Sequence, residues 1–172
     1  MKFMFVNFKS EIIDFLLEED GELYDNWGNS VISVVHIAMH NRLDLCEIVF
    51  SETNKFNKIT DSIDLAADNG NFQVVKYLTS KGVSCTTKAM DWAASKGHFK
   101  LFKWLHLNRS EGCTGGSLGF ASINGFLEIV KYIIENRLVS GRMQLNQSLE
   151  KAKFKGRLNV VEYLESVLEM TV

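Results

Sequence analysis

Four groups of residues have types and spacings that suit chemistry. Gly115-Gly116-Ser117-Leu118-Gly119 reproduces the pattern G-x-S-x-G, which in hydrolases lifts a nucleophilic serine on a strained turn between a strand and a helix. His36 and His40 stand four apart, a spacing that places two imidazoles on one helix face, where they suit zinc. Cys85 and Cys113 occupy matching places in neighbouring segments. Lys96, Lys100, Lys103, Lys151, Lys153, Lys155 and Arg157 gather cations that could meet phosphate.

None of the four completes a site. The serine motif needs a preceding strand, yet Ser117 lies in a connection between helical segments, so a flexible glycine turn is expected and no catalytic residue is assigned. The histidine pair lacks the intervening glutamate of a zinc protease and has only two ligands, so packing or solvation is expected and no metal. Adjacent helical layers lie about 8–10 Å apart, too far for Cys85 and Cys113 to share a disulfide or a tetrahedral metal. Both read as small buried groups. The lysines have no interleaved exposed aromatics, and the first half of the chain would repel phosphate. A solvated face is the better reading, with nucleic-acid or acidic-partner binding through the basic half as the alternative. No glycine loop followed by lysine cradles a phosphate, and no cofactor is expected.

The elements that would position any site must come from 172 residues with 46% hydrophobic and 23% charged content, the balance of one soluble domain. There is no proline, where average usage would give roughly nine, so long irregular loops are disfavoured. Three cysteines, an odd number, and the absence of a basic and apolar leader pattern point to a reducing, cytoplasmic setting. No apolar run approaches the roughly 20 residues of a membrane-spanning helix. Charge is split along the chain. Residues 1–75 hold 5 basic and 13 acidic residues, a net of -8, while residues 76–172 hold 14 basic and 8 acidic, a net of +6. Such a dipole steers partners even though the total is only -2.

One pattern recurs along the sequence: GNFQVVKYL from Gly70, GHFKLFKWL from Gly97, GFLEIVKYI from Gly125 and GRLNVVEYL from Gly156, with NRLDLCEIV from Asn41 as a fifth and poorer copy. The intervals are 29, 27, 28 and 31 residues. Asparagine at 41 is the usual alternative to glycine where a helix ends in a left-handed conformation. Ala66, Ala93, Ala121 and Ala152 each precede a glycine by four residues. A short apolar helix is therefore predicted before every glycine and a second helix after it. In the Gly97 copy, Thr87 is the expected N-cap, and Phe99, Leu101, Phe102, Trp104 and Leu105 form the broad stripe of a helix buried on one side. Helices this short are marginal alone, so the copies must stack, with alanines allowing close approach and aromatics filling the space between layers.

The strings SIDLAADNGNFQVVKYL, AMDWAASKGHFKLFKWLH and SLGFASINGFLEIVKYI resemble ankyrin repeats, in which T-P-L-H-x-A-A opens the first helix and G-H-L-E-V-V-K-L-L forms the second. No copy has the T-P pair, and Asp64 and Asp91 stand where histidine is usual. The short period, with M-D-W-A-A and a following E-G-C-T, is similar to arrays of giant viruses of amoebae and of oomycetes; a viral origin would make a host protein the partner. The resemblance implies an all-α solenoid of stacked helix-turn-helix repeats. Residues 1–29 are expected to form an N-terminal capping half-repeat, with Phe3, Phe5 and Phe8 covering the end of the stack, the alternative being that they form a surface for association. About five repeats follow over residues 30–168, and then a tail over 169–172. Lys151, where earlier copies carry Trp92 and Phe120, fits an outward-facing last repeat.

The resemblance also implies a non-enzymatic protein-binding module, here expected to be a monomer. Family contacts come from the inter-repeat turns and from the two residues before each first-helix glycine, on the concave side. Those positions are Met39 and His40, Asp68 and Asn69, Ser95 and Lys96, Ile123 and Asn124, and Phe154 and Lys155. Ile123 and Phe154 stand out as apolar residues on a solvent-facing surface, the better anchors for a partner. For Phe154 the alternative is packing against the C-terminal segment around Val167 and Leu168.

Overall fold

The computed structural model describes residues 61–139 and 141–170, together with Asn41, Leu43, Asp44, Cys46 and Glu47. The expectations for residues 1–40, including Met39, His36 and His40, lie outside the described residues. Eight helices are described: α1 (Asp61–Asp68), α2 (Phe72–Ser80), α3 (Lys88–Lys96), α4 (Phe99–Asn108), α5 (Gly115–Asn124), α6 (Leu127–Glu135), α7 (Arg142–Phe154) and α8 (Leu158–Met170). There is no strand among the described residues. The helices form four antiparallel pairs. The first helices form one continuous row, α1 on α3, α3 on α5 and α5 on α7, while α4 touches α6 and α6 touches α8. This is the all-α repeat solenoid that the sequence pattern predicts.

The glycines do what their spacing implies. Gly70, Gly97, Gly125 and Gly156 all have positive φ, and so does Asn41, at 55°. At Gly97 two backbone bonds close the helix end: Gly97 N–H to Ala94 O at 3.3 Å and His98 N–H to Ala93 O at 2.9 Å. That nested pair requires a left-handed residue. The same pair recurs at the other three glycines. The outer bond always ends on the carbonyl of Ala66, Ala93, Ala121 or Ala152, each fully buried. A side chain larger than alanine there would push the row of first helices apart.

The core runs the length of the stack. Val74, Val75 and Leu78 in α2, Leu101, Phe102 and Leu105 in α4, and Ile129, Val130 and Ile133 in α6 are buried at the same positions after the glycine. Each such side chain contributes about 1.5–3 kcal/mol by leaving water, which is how helices of 8 to 10 residues persist. Aromatic edges tie successive layers: Phe72 meets Trp104 with ring centroids 5.9 Å apart, and Phe99 meets Tyr132 at 5.7 Å.

Three local expectations are corrected. Thr87 stands at the N-cap of α3 as expected but makes no side-chain cap; the capping hydroxyl is that of Thr86, whose Oγ1 accepts from Lys88 N–H at 3.1 Å. The Gly115–Gly119 run is the first half of α5 rather than a turn. The last helix runs to Met170, so Glu169 and Met170 are helical and not tail.

Candidate functional site

The left-handed glycine fixes which residues the first helices present. Positions five, two and one before it share one face, because residues three and four apart are neighbours on a helix. Along the stack the first of these is Leu65, Trp92, Phe120 and then Lys151. Leu65 and Trp92 are half-buried, Phe120 is 44% exposed and Lys151 is exposed. Lys88 Nζ lies 5.5 Å from the Trp92 ring. The end of the Lys151 side chain lies over Gly119, where a β-carbon would stand 2.7 Å from its flexible Nζ. This aromatic line was not assigned to the binding face from the sequence, although its spacing from the glycines was the available signal.

The structure places the predicted pairs on the same face with different freedom. Asp68 and Ser95 are half-buried, and Asn69, Lys96, Asn124 and Lys155 are exposed. The Asn69 amide donates to Leu65 O at 2.9 Å. The Asn124 amide donates to Ser95 O, also at 2.9 Å, across the layer boundary. Ile123, expected to be exposed, is half-buried. Phe154 is 82% exposed, so the packing alternative against Val167 and Leu168 does not hold. Lys155 Nζ lies 5.5 Å from the Phe154 ring centre.

Each layer also grips the carbonyl two residues before the preceding glycine. His98 Nε2 lies 3.0 Å from Asp68 O and must be the protonated ring nitrogen, since a carbonyl only accepts. Arg157 Nε donates to Ile123 O at 3.1 Å. In the intervening layer the residue after the glycine is Phe126, which has no side-chain donor, and Asn124 supplies the bond to Ser95 O instead. The same three residues after the glycine, His98, Phe126 and Arg157, fill the space above Gly70, Gly97 and Gly125.

A second set of polar contacts joins the layers from within. Asp64 is fully buried and accepts from Thr86 N–H at 2.9 Å and Thr86 Oγ1 at 2.6 Å. Asp91, 8% exposed, accepts from Thr114 N–H at 2.9 Å, from Thr114 Oγ1 at 2.7 Å and from Ser117 Oγ. Thr114 Oγ1 in turn caps α5 by accepting from Gly116 N–H at 3.0 Å. Ser117 is fully buried and gives its proton to a structural carboxylate. Asp64 and Asp91 each join their own layer to the next.

Cys46 and Cys85 are buried, whereas Cys113, expected to be buried as well, is only partly covered. Burial pushes Cys85 up to about 11, above its ordinary thiol value, and raises Cys113 as well. Cys46, buried beside Asp44 and Glu47, is pushed up to about 12. Among the described residues no group of three or more His, Cys, Asp or Glu is placed to hold a metal ion. No described helix is long and apolar enough to cross a membrane.

Residues 63–106 and 90–134 match the family model described as ankyrin repeats (many copies). A search of curated proteins found no match to the chain.

Proposed function

We propose, from the premise that this chain is an ankyrin-repeat protein, that it holds a protein partner along the face of its first helices. Ankyrin repeats are generally non-enzymatic protein–protein interaction modules. The finer reading rests chiefly on Phe154, a phenylalanine 82% exposed at the end of α7, on the same face of the first helices as half-exposed Phe120 and half-buried Trp92 though one turn further along its helix. Exposed aromatics on a rigid surface are the usual anchors of an interface.

Charge sets the direction of the partner. The face carries Asp61 and Asp68 on α1, Lys88 and Lys96 on α3, and Lys151 and Lys155 at the end of α7. A segment with cations at the N-terminal end of the stack and carboxylates at the other complements it.

Pull-down from a cell extract identifies the partner, and affinity of two variants tests the face. Phe154→Ala is expected to weaken binding by at least about 1 kcal/mol, roughly fivefold, with an unchanged melting temperature, because the ring packs on so little. Lys96→Glu is expected mainly to slow association and flatten its salt dependence. Unchanged affinity in Phe154→Ala removes the anchor. Binding of DNA or RNA near physiological salt that is lost on changing Lys151, Lys153 and Lys155 to glutamate favours the basic-face alternative instead.

A further inference from the structure

The outer surface of the last pair presents two of the features that receive a following layer elsewhere in the stack, and departs from the third. The space above Gly156 is open, with nothing within 4 Å of a β-carbon built there, whereas His98, Phe126 and Arg157 fill that space above the three earlier glycines. Leu158 is 70% exposed, while the matching Phe72 and Phe99 pack against Trp104 and Tyr132 of the next layer. Glu162 occupies the position of Lys103 and Lys131, whose amines lie 5.9 Å and 5.5 Å from the Tyr132 and Tyr163 rings of the following layer.

That last difference selects the occupant. A lysine suits the electron-rich face of an aromatic ring and a carboxylate does not, so this surface is poorly made for another layer with tyrosine or tryptophan at that place. It asks for a flat apolar group to enter above Gly156 and a cation to meet Glu162. Phe154 and Lys155 are such a pair, both exposed and both at the same corner of the molecule. A knob and its hole on one patch are what a two-fold interface requires.

We infer that two copies of the chain associate through the open face of α7 and α8, related by a two-fold axis, with Phe154 of each seated above Gly156 and against Leu158 of the other and Lys155 facing Glu162. The pairing replaces the monomer expected from sequence. It stands independently of partner binding, and because it covers Phe154, a partner held by that residue competes with it.

Sedimentation equilibrium of the full chain from about 10 μM to about 1 mM spans the range of a weak dimer. A mass that rises towards twice 19.5 kDa is expected. Phe154→Asp should weaken association at least about tenfold, Glu162→Lys should weaken it as well, and Glu162→Lys combined with Lys155→Glu should restore it. All three positions are exposed, so circular dichroism should show native helix content throughout. A monomer over the whole range, or a dimer indifferent to both Phe154→Asp and Glu162→Lys, overturns the inference. Glu162 is outside the proposed partner face, so loss of self-association in Glu162→Lys with intact partner binding separates the two readings.

Discussion

Replacing Asp91 by alanine is expected to destabilise the chain by about 3 kcal/mol, because it removes the acceptor that three donors share at a layer boundary. Thr114 N–H, Thr114 Oγ1 and Ser117 Oγ all donate to this one carboxylate; without it the buried Ser117 keeps only its bond to Thr114 O at 3.1 Å, and a hydrogen bond to a charged group is worth about 1.5–3 kcal/mol. The loss falls at the boundary between the α3–α4 and α5–α6 pairs, and in a stack held by nearest-neighbour contacts a weakened boundary uncouples what lies on either side. Circular dichroism should therefore record a melting midpoint lower by about 10 °C, taking about 2–4 °C per kcal/mol for a chain of this size, or two transitions where the wild-type chain shows one. Ser117→Ala, which removes one of the three donors together with its own need for a partner, should cost only about 1 kcal/mol. Equal effects of Asp91→Ala and Ser117→Ala would show that the carboxylate does not join the layers.

The same network marks the boundary of what the sequence discloses. The four glycines and the alanines four residues before them were legible because one local event, a helix ending in a left-handed residue, demands both. The glycine supplies the positive φ, and the alanine supplies the carbonyl for the outer bond from within a tightly packed row. Asp64 and Asp91 were visible only as departures from histidine. Their partners lie 22 to 26 residues further on, where no local rule connects a threonine to a particular carboxylate. Without that connection Ser117, amid three glycines, looked like part of a turn. The folded chain caps the segment with Thr114 and ties Ser117 to Asp91, and so the segment is helical. Thr87 takes the N-cap position, but the hydroxyl that caps α3 is that of Thr86, the one within reach of Asp64 in the preceding layer.

The candidate face was legible in part for a related reason. The family's contact positions, carried over by resemblance to the two residues before each glycine, are Asp68, Asn69, Ser95, Lys96, Ile123, Asn124, Phe154 and Lys155. The resemblance did not show how far neighbouring layers would occupy them. Asn124 is drawn into the bond to Ser95 because Phe126 has no donor, and Ile123 is half-covered where Phe154 is not. Exposure at a repeated position is decided by the next layer, which differs from copy to copy.

Gly97→Ala is expected to be the more damaging of two chemically identical changes, the other being Gly156→Ala. Both glycines are left-handed, with φ of 79° and 63°, so alanine costs about 1–2 kcal/mol of backbone strain at either site. The surroundings differ. At Gly97 the new β-carbon would stand 2.6, 2.7 and 2.9 Å from three atoms of the Phe126 ring, well inside van der Waals contact. The ring belongs to the next layer and packs against the core, so making room for a methyl adds about 1–3 kcal/mol of overpacking strain. At Gly156 the same β-carbon meets nothing within 4 Å. Urea unfolding of the two variants, at concentrations low enough to keep the chain monomeric, should show Gly97→Ala less stable than wild type by about 3 kcal/mol or more and Gly156→Ala by only about 1–2 kcal/mol. The gap between them measures the layer contact alone, since the backbone term is common to both. If Gly156→Ala costs as much as Gly97→Ala, the glycines are retained for their turn geometry and the ring above Gly97 yields without strain.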